Sequence, residues 1–240
     1  MPKLVIERYA QVYQMPKNKT LTIKFRRAVP FDISTTPLNE GVTPPPDQIQ
    51  FEDVGTTLKQ FGKWVQITDV IQDTHEDPVL KTQMELLGEN AAQVREMLLW
   101  GTIRGGTNVY YGSTTSSPTL RTQVNKPINL QLQRSITTFL ENQFANKITK
   151  VIKPSVNYDT MAVPEGYVAL MHTDVEPDVR DLPNFVPREK YASGNPEPEE
   201  LGACETARYV KSALLKPILG AGSTTLNGMR NSSGAVDVYP

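Results

Sequence analysis

The chain has 240 residues, 38% of them apolar, which is enough for one large domain or two small ones with a real core. Twenty-five basic against twenty-six acidic side chains leave a formal charge of −1 with no clustered Lys/Arg stripe, which excludes the electrostatic footprint of a tight nucleic-acid binder. The single cysteine, Cys204, excludes an internal disulfide, and no Cys/His cluster has zinc spacing.

Stability must therefore come from packing and association. No apolar run approaches the roughly 18 residues a membrane helix needs, and Met1-Pro2-Lys3-Leu4 leads into charged residues instead of a signal-peptide core. The expectation is a soluble protein of a reducing cytoplasm. Nineteen prolines, spread through the chain, predict much extended or turning backbone.

Residues 1–20 carry Leu4, Val5, Ile6, Tyr9, Val12 and Tyr13 but lack the length of a self-sufficient element, so they read as an arm that needs a surface to lie on. From Leu21 the pattern alternates, with Leu21, Ile23 and Phe25 opposite Thr22, Lys24 and Arg26, as a half-buried strand requires. A second alternation, Phe61, Lys63, Val65 and Ile67 against Trp64, Gln66 and Thr68, predicts the returning strand. The segment between holds Pro30, Pro37, Pro44, Pro45 and Pro46, far longer than the usual loop of about 4–6 residues. A projecting hairpin over 21–74 is the economical reading, its prolines limiting uncontrolled edge pairing.

Asp77-Pro78 is a strong helix start and Gly105-Gly106 a stop, which predicts a helix over 78–104. Leu80, Met84, Leu87, Ala91, Val94, Leu98 and Gly101 share one face, read as a core face, with a coiled-coil seam as the alternative. Gly88 within it suggests a close backbone approach. A second helix is expected where Leu132, Ile136, Phe139, Leu140 and Phe144 align, with Pro127 near its start. Tyr167–Met171 predicts a strand, followed by a two-turn helix capped by Thr173 and favoured by Asp174 and Glu176. From Tyr191 the chain reads as turn-rich, and Val236–Pro240 alternate like a strand that has only begun.

No catalytic, cofactor or metal constellation stands out in the sequence. His75 and His172 lack partner ligands and a nucleophile, and read as surface or hydrogen-bonded residues. Asp174, Glu176, Asp178 and Asp181 are acidic neighbours without the glycine turn and terminal Glu of a calcium loop. Gly220-Ala221-Gly222-Ser223-Thr224-Thr225 lacks the Gly-Lys-Ser/Thr ending of a phosphate loop and reads as a turn. Trp64, Tyr110 and Tyr111 have no interleaved Lys or Arg and suit packing or an interface better than base stacking.

Several blocks carry a resemblance. Phe61-Gly62-Lys63-Trp64-Val65-Gln66-Ile67-Thr68-Asp69, Asp77-Pro78-Val79-Leu80, Leu86-Leu87-Gly88-Glu89 and Gly106-Thr107-Asn108-Val109 are followed by Tyr167–His172, Asp178, Leu182, Tyr191, Gly202 and Arg208-Tyr209-Val210. In this order and spacing they resemble the major capsid family of N-four-like tailed phages, over about Lys17 to Pro240. The resemblance implies an α+β fold of the Hong Kong 97 capsid type. Its expected parts are an arm (1–20), an extended hairpin loop (21–74), a peripheral domain (75–130) with spine helix 78–104, and an axial α/β domain (131–240) whose strands begin to return to the peripheral domain. It also implies further residues beyond both ends, copies of the chain as partners in pentamers and hexamers, and DNA held by confinement only. Portal, scaffolding and decoration proteins are the other partners implied, with the virion, and the host cytoplasm during assembly, as the location. A cellular compartment shell of the same fold and a metal-dependent hydrolase around Asp174 are the competing readings.

Overall fold

The computed structural model describes residues 4–15, 20–37, 39–68, 78–155, 159–192 and 196–240. The chain divides into two units, Val12–Thr68 and Met1–Gln11 with Asp69–Pro240.

The smaller unit is built on one antiparallel pair. Strand β1 (Thr22–Ala28) pairs with β2 (Phe51–Thr57), placing Phe25 opposite Val54 and Arg26 opposite Asp53. The return strand expected at 61–68 is thus displaced toward the N-terminus, and 58–68 form no helix or strand. The reason is that alternation selects a register only where one face is buried. Here Ile23 is the one residue of the two strands that is half-buried and the rest are exposed, so the half-buried strand expected from the alternation is not found. Cross-strand chemistry decides instead: Arg26 Nε donates to Asp53 Oδ1 at 2.9 Å, and its guanidinium lies 5.6 Å from the Phe51 ring centroid. Tyr13 meets Phe25 edge to face at 5.6 Å. Val29 N–H and Gln50 C=O continue the ladder by one step, and the proline-rich segment beyond closes the hairpin without a further described helix or strand.

The larger unit begins with the short helix α1 (Ile6–Tyr9) laid on the long helix α2 (Val79–Arg104). At 1.5 Å per residue, the 26 residues of α2 span about 39 Å, close to the expected spine. Its orientation differs from the expectation. Of the seven stripe residues only Leu87 is half-buried, whereas Glu96 and Trp100 on another face are the buried ones. A Cβ at Gly88 would meet nothing within 4 Å, so the close approach suggested there is not made. The helix start signal at Asp77 lies outside the described residues.

The arm's contact has a defined chemistry. Val5 and Ile6 are 2% and 3% exposed, Ile6 packs with Trp100 and Leu215, and Glu96 Oε1 accepts the Val5 and Ile6 N–H groups at 2.7 and 2.8 Å. Two buried aliphatic side chains at about 1.5–3 kcal/mol each and two charge-assisted hydrogen bonds at about 1.5–3 kcal/mol each give about 6–12 kcal/mol. Ordering the six residues Leu4 to Tyr9 costs about 1–2 kcal/mol apiece, or about the same. The surface that the arm was expected to need is supplied, over these residues, by its own chain in near-balance.

Helix α3 (Leu130–Asn142) starts at Asn129, whose side-chain oxygen accepts the Leu132 N–H at 2.8 Å, a cap that supplants Pro127 as the start signal. Phe144, expected on its inward face, instead lies past the helix end at φ 54° and is 91% exposed. Inward, Gln133 is nearly fully buried: its Nε2 donates to Cys204 C=O at 2.6 Å and its Oε1 accepts the Tyr209 hydroxyl at 2.9 Å.

These contacts anchor α3 to a four-stranded mixed sheet in the order β3-β6-β5-β4, comprising β3 (Tyr167–Met171), β4 (Phe185–Pro187), β5 (Glu200–Cys204) and β6 (Ala207–Lys211). Strand β3 runs parallel to β6, and β5 is antiparallel to both β6 and β4. Every residue of β5 is buried, which is why small residues dominate it. At Gly202 an added Cβ would strike the Phe185 ring and lie 2.5 Å from Val186 O, so the β4–β5 approach requires glycine. One core forms from Met171, Val179, Leu182, Leu201, Cys204 and Tyr209, and a second from Ile152, Val163, Tyr191 and Ala203.

The two-turn helix expected after β3 is a 3-10 turn, Thr173–Val175, running into α4 (Glu176–Arg180). His172, not Thr173, supplies the cap: its Nδ1 accepts the Asp174 N–H at 3.0 Å. At the far end β7 (Asn231–Ser232) and β8 (Ala235–Val236) form a minimal hairpin, and Val238 bridges Ile218. Val236 is fully buried, and Asp237 accepts Gly220 N–H at 2.7 Å and the Ser232 hydroxyl at 2.9 Å.

Candidate assembly surface

The chemistry-bearing residues singled out in the sequence are mostly occupied by structural work. Asp174 holds Arg230 at 2.5 Å and accepts the Tyr239 hydroxyl at 3.0 Å; the Arg230 guanidinium, followed by the Tyr239 bond, keeps its carboxyl below the usual range. Glu176 is likewise lowered, first by Lys211 at 2.6 Å and then by Arg180. Desolvation instead raises Asp178. Asp174 and Glu176 therefore serve different partners, and among the described residues no group of three or more acidic, His or Cys side chains has metal-holding geometry. Because His172 Nδ1 accepts a backbone N–H, its 3.4 Å approach to Asp174 Oδ2 is not an ion pair. His75 lies outside the described residues.

Gly220 to Thr225 is a turn packed into the fold. Gly220 has φ 58°, Gly222 N–H donates to Val236 C=O and Ser223 N–H to Val124 C=O, so these amides do not converge on an anion. Cys204 is fully buried, its thiol donating to Pro183 C=O at 3.4 Å and pushed upward in pKa by desolvation. Tyr110 meets Phe139 edge to face at 5.8 Å, a packing role.

Two polar features escaped the sequence reading. Glu200 and Arg208 are each 3% exposed on adjacent central strands. Glu200 accepts the Tyr191 hydroxyl and the Glu197 N–H, both at 2.8 Å, while Arg208 donates to Lys150 C=O and stands 3.9 Å from Glu200. Burial, then the Glu200 charge, pushes the Tyr191 hydroxyl well above its ordinary range. This cluster holds the sheet to its flanking loops. The second feature is Glu96 under the arm.

What the two units present outward is apolar. In the smaller unit Leu21, Phe31, Ile33, Phe51, Val54 and Trp64 are all exposed, Ile33 at 92% and Trp64 at 79%. In the larger, α2 shows Leu80, Met84, Val94 and Leu98 to solvent, and Phe144 stands out beyond α3. Scattered surface apolar groups are ordinary, but a full hairpin and a helical stripe together mark surfaces meant to be covered.

A sequence profile of a family described as phage capsid protein matches residues 51–239. The chain belongs to the phage capsid protein family. It is a coat protein of the phage head, a structural protein and not an enzyme, and its place is the virion capsid. Capsid proteins of this family self-assemble. The hydrolase reading of the acidic neighbours is set aside by the family and by their ion pairs. The fold of this family member is mixed α+β, with one long helix and small sheets. Among curated proteins, none matches the chain.

Proposed function

We propose that the chain is the major coat subunit of a tailed-phage head of the N-four-like kind, with the Hong Kong 97 capsid architecture, assembling through pentamers and hexamers around double-stranded DNA. In this reading Val12–Thr68 is the extended loop, α2 is the spine of the peripheral domain, and the sheet with α3 belongs to the axial domain. The observation that carries it is the hairpin: two seven-residue strands on which nearly every side chain is exposed. Isolated two-stranded ribbons are marginal in water, so such an element becomes stable when a neighbouring copy supplies the missing face. Near-neutral charge suits a wall that surrounds DNA without gripping it, and portal, scaffolding or decoration proteins are the further partners such a head would use.

The test is to excise residues 30–49 and join β1 to β2 through an Asn-Gly turn. Circular dichroism of the subunit should be unchanged and electron microscopy should show no closed particles. Normal closed particles from this variant would remove the hairpin from its assigned role.

A further inference from the structure

Glu96 is a buried ionisable group that the coat function does not explain. It stands one turn before Trp100 on the inward side of α2, a position where packing alone would take an apolar side chain, and it is 1% exposed. Among the described residues its hydrogen bonds come from the Val5 and Ile6 N–H groups alone, both on Oε1. Beside it Arg95 pairs with Glu7, and on its other flank Ile6 covers Trp100 and Leu215, with the Trp100 indole N–H held by Lys216 C=O at 3.1 Å. A carboxylate withdrawn from water is tolerated only while donors are aimed at it. Here those donors belong to the arm and not to the body.

We infer that residues 4–9 form a two-state strap on α2, latched by Glu96. Closed, the strap solvates the carboxylate and hides Val5, Ile6, Trp100 and Leu215. Open, it returns Glu96 to water and turns those four side chains into a new apolar surface. Three observations favour a strap over a fixed element. The helix within it is four residues, too short to persist unaided, and residues 10–14 beyond it are exposed. Its gains in burial and hydrogen bonding nearly cancel the ordering of its backbone. Its buried backbone N–H groups are held by a single carboxylate oxygen, with the Glu7–Arg95 pair at its more exposed side. On the coat-protein reading, opening would offer a neighbouring copy extra apolar area, but the strap itself is a property of the free subunit and is tested there.

Hydrogen exchange read by mass spectrometry on the unassembled subunit decides it. Glu96→Gln keeps Oε1 as an acceptor for both N–H groups, whereas Glu96→Ala removes it. Peptides over residues 4–10 should exchange at least about tenfold faster in the Ala variant and within about threefold of wild type in the Gln variant, with β5 and β6 peptides equal in all three. Equal arm exchange in wild type and the Ala variant would overturn the latch. Should the Ala variant fail to fold, the wild type suffices. Arm exchange must then be insensitive to sub-denaturing urea while β6 exchange accelerates, and a shared urea dependence would show that no separate opening exists. Neither readout involves shell formation, so the strap and the coat assignment stand or fall separately.

Discussion

Replacing Ile33 with Ser separates subunit stability from assembly. Ile33 is 92% exposed at the hairpin's outer end and makes no described hydrophobic contact in the core, so the free subunit should change by no more than about 0.5 kcal/mol. If a neighbouring copy covers that side chain, each contact loses about 1.5–3 kcal/mol, which weakens pairwise association about 10- to 150-fold at 1.4 kcal/mol per decade. Because every subunit repeats the contact, the concentration at which particles first form should rise by at least about tenfold. Urea unfolding of the unassembled subunit measures the first quantity, and light scattering over a concentration series measures the second. An unchanged assembly threshold would refute the assignment of this side chain to an interface. A loss of more than about 1.5 kcal/mol in the subunit would show that it already has a partner at home.

Gln133→Leu should cost about 2–4 kcal/mol in urea unfolding, since it leaves Cys204 C=O and the Tyr209 hydroxyl buried without their partner. Gly202→Ala, which drives a Cβ into the Phe185 ring and Val186 O, should cost about 1–3 kcal/mol and shift the amide signals of β4 most. Acid should loosen the contacts of Asp174 with Arg230 and Tyr239 and of Glu176 with Lys211. Asp174 and Glu176 have folded pKa values below their ordinary 3.8 and 4.5, so their contribution is complete above that range and is lost as pH falls through the lower folded values. The melting temperature should therefore drop below about pH 4, and Arg230→Leu should flatten the Asp174 part of that dependence.

The elements read correctly from sequence were those with punctuation and length. Helix α2 has Pro78 before it and Gly105-Gly106 after it, and β3 is a compact apolar run of five. Strands β5 and β6 escaped notice because both faces are covered, which erases alternation, and because Glu200 and Arg208 look like surface charges until their partners are seen. The β2 sequence, Phe51-Glu52-Asp53-Val54-Gly55-Thr56-Thr57, is too polar to announce a strand, whereas the more apolar 61–67 competes on pattern alone. The most instructive difference concerns α2. Its apolar stripe has the pattern of a core face in a self-contained domain, yet most of it is exposed in the single chain, as expected if other copies cover it in the proposed shell. The inward face instead carries Glu96, a residue no hydrophobic pattern would place there.

In the proposed shell the exposed hairpin and the stripe of α2 are covered by other copies of the chain. Sedimentation velocity of the purified protein over a rising concentration series tests it directly. The expected result is a sharp, fast boundary of uniform large particles appearing above a threshold and growing at the expense of free subunit. A single slow boundary of monomer at every concentration would contradict it.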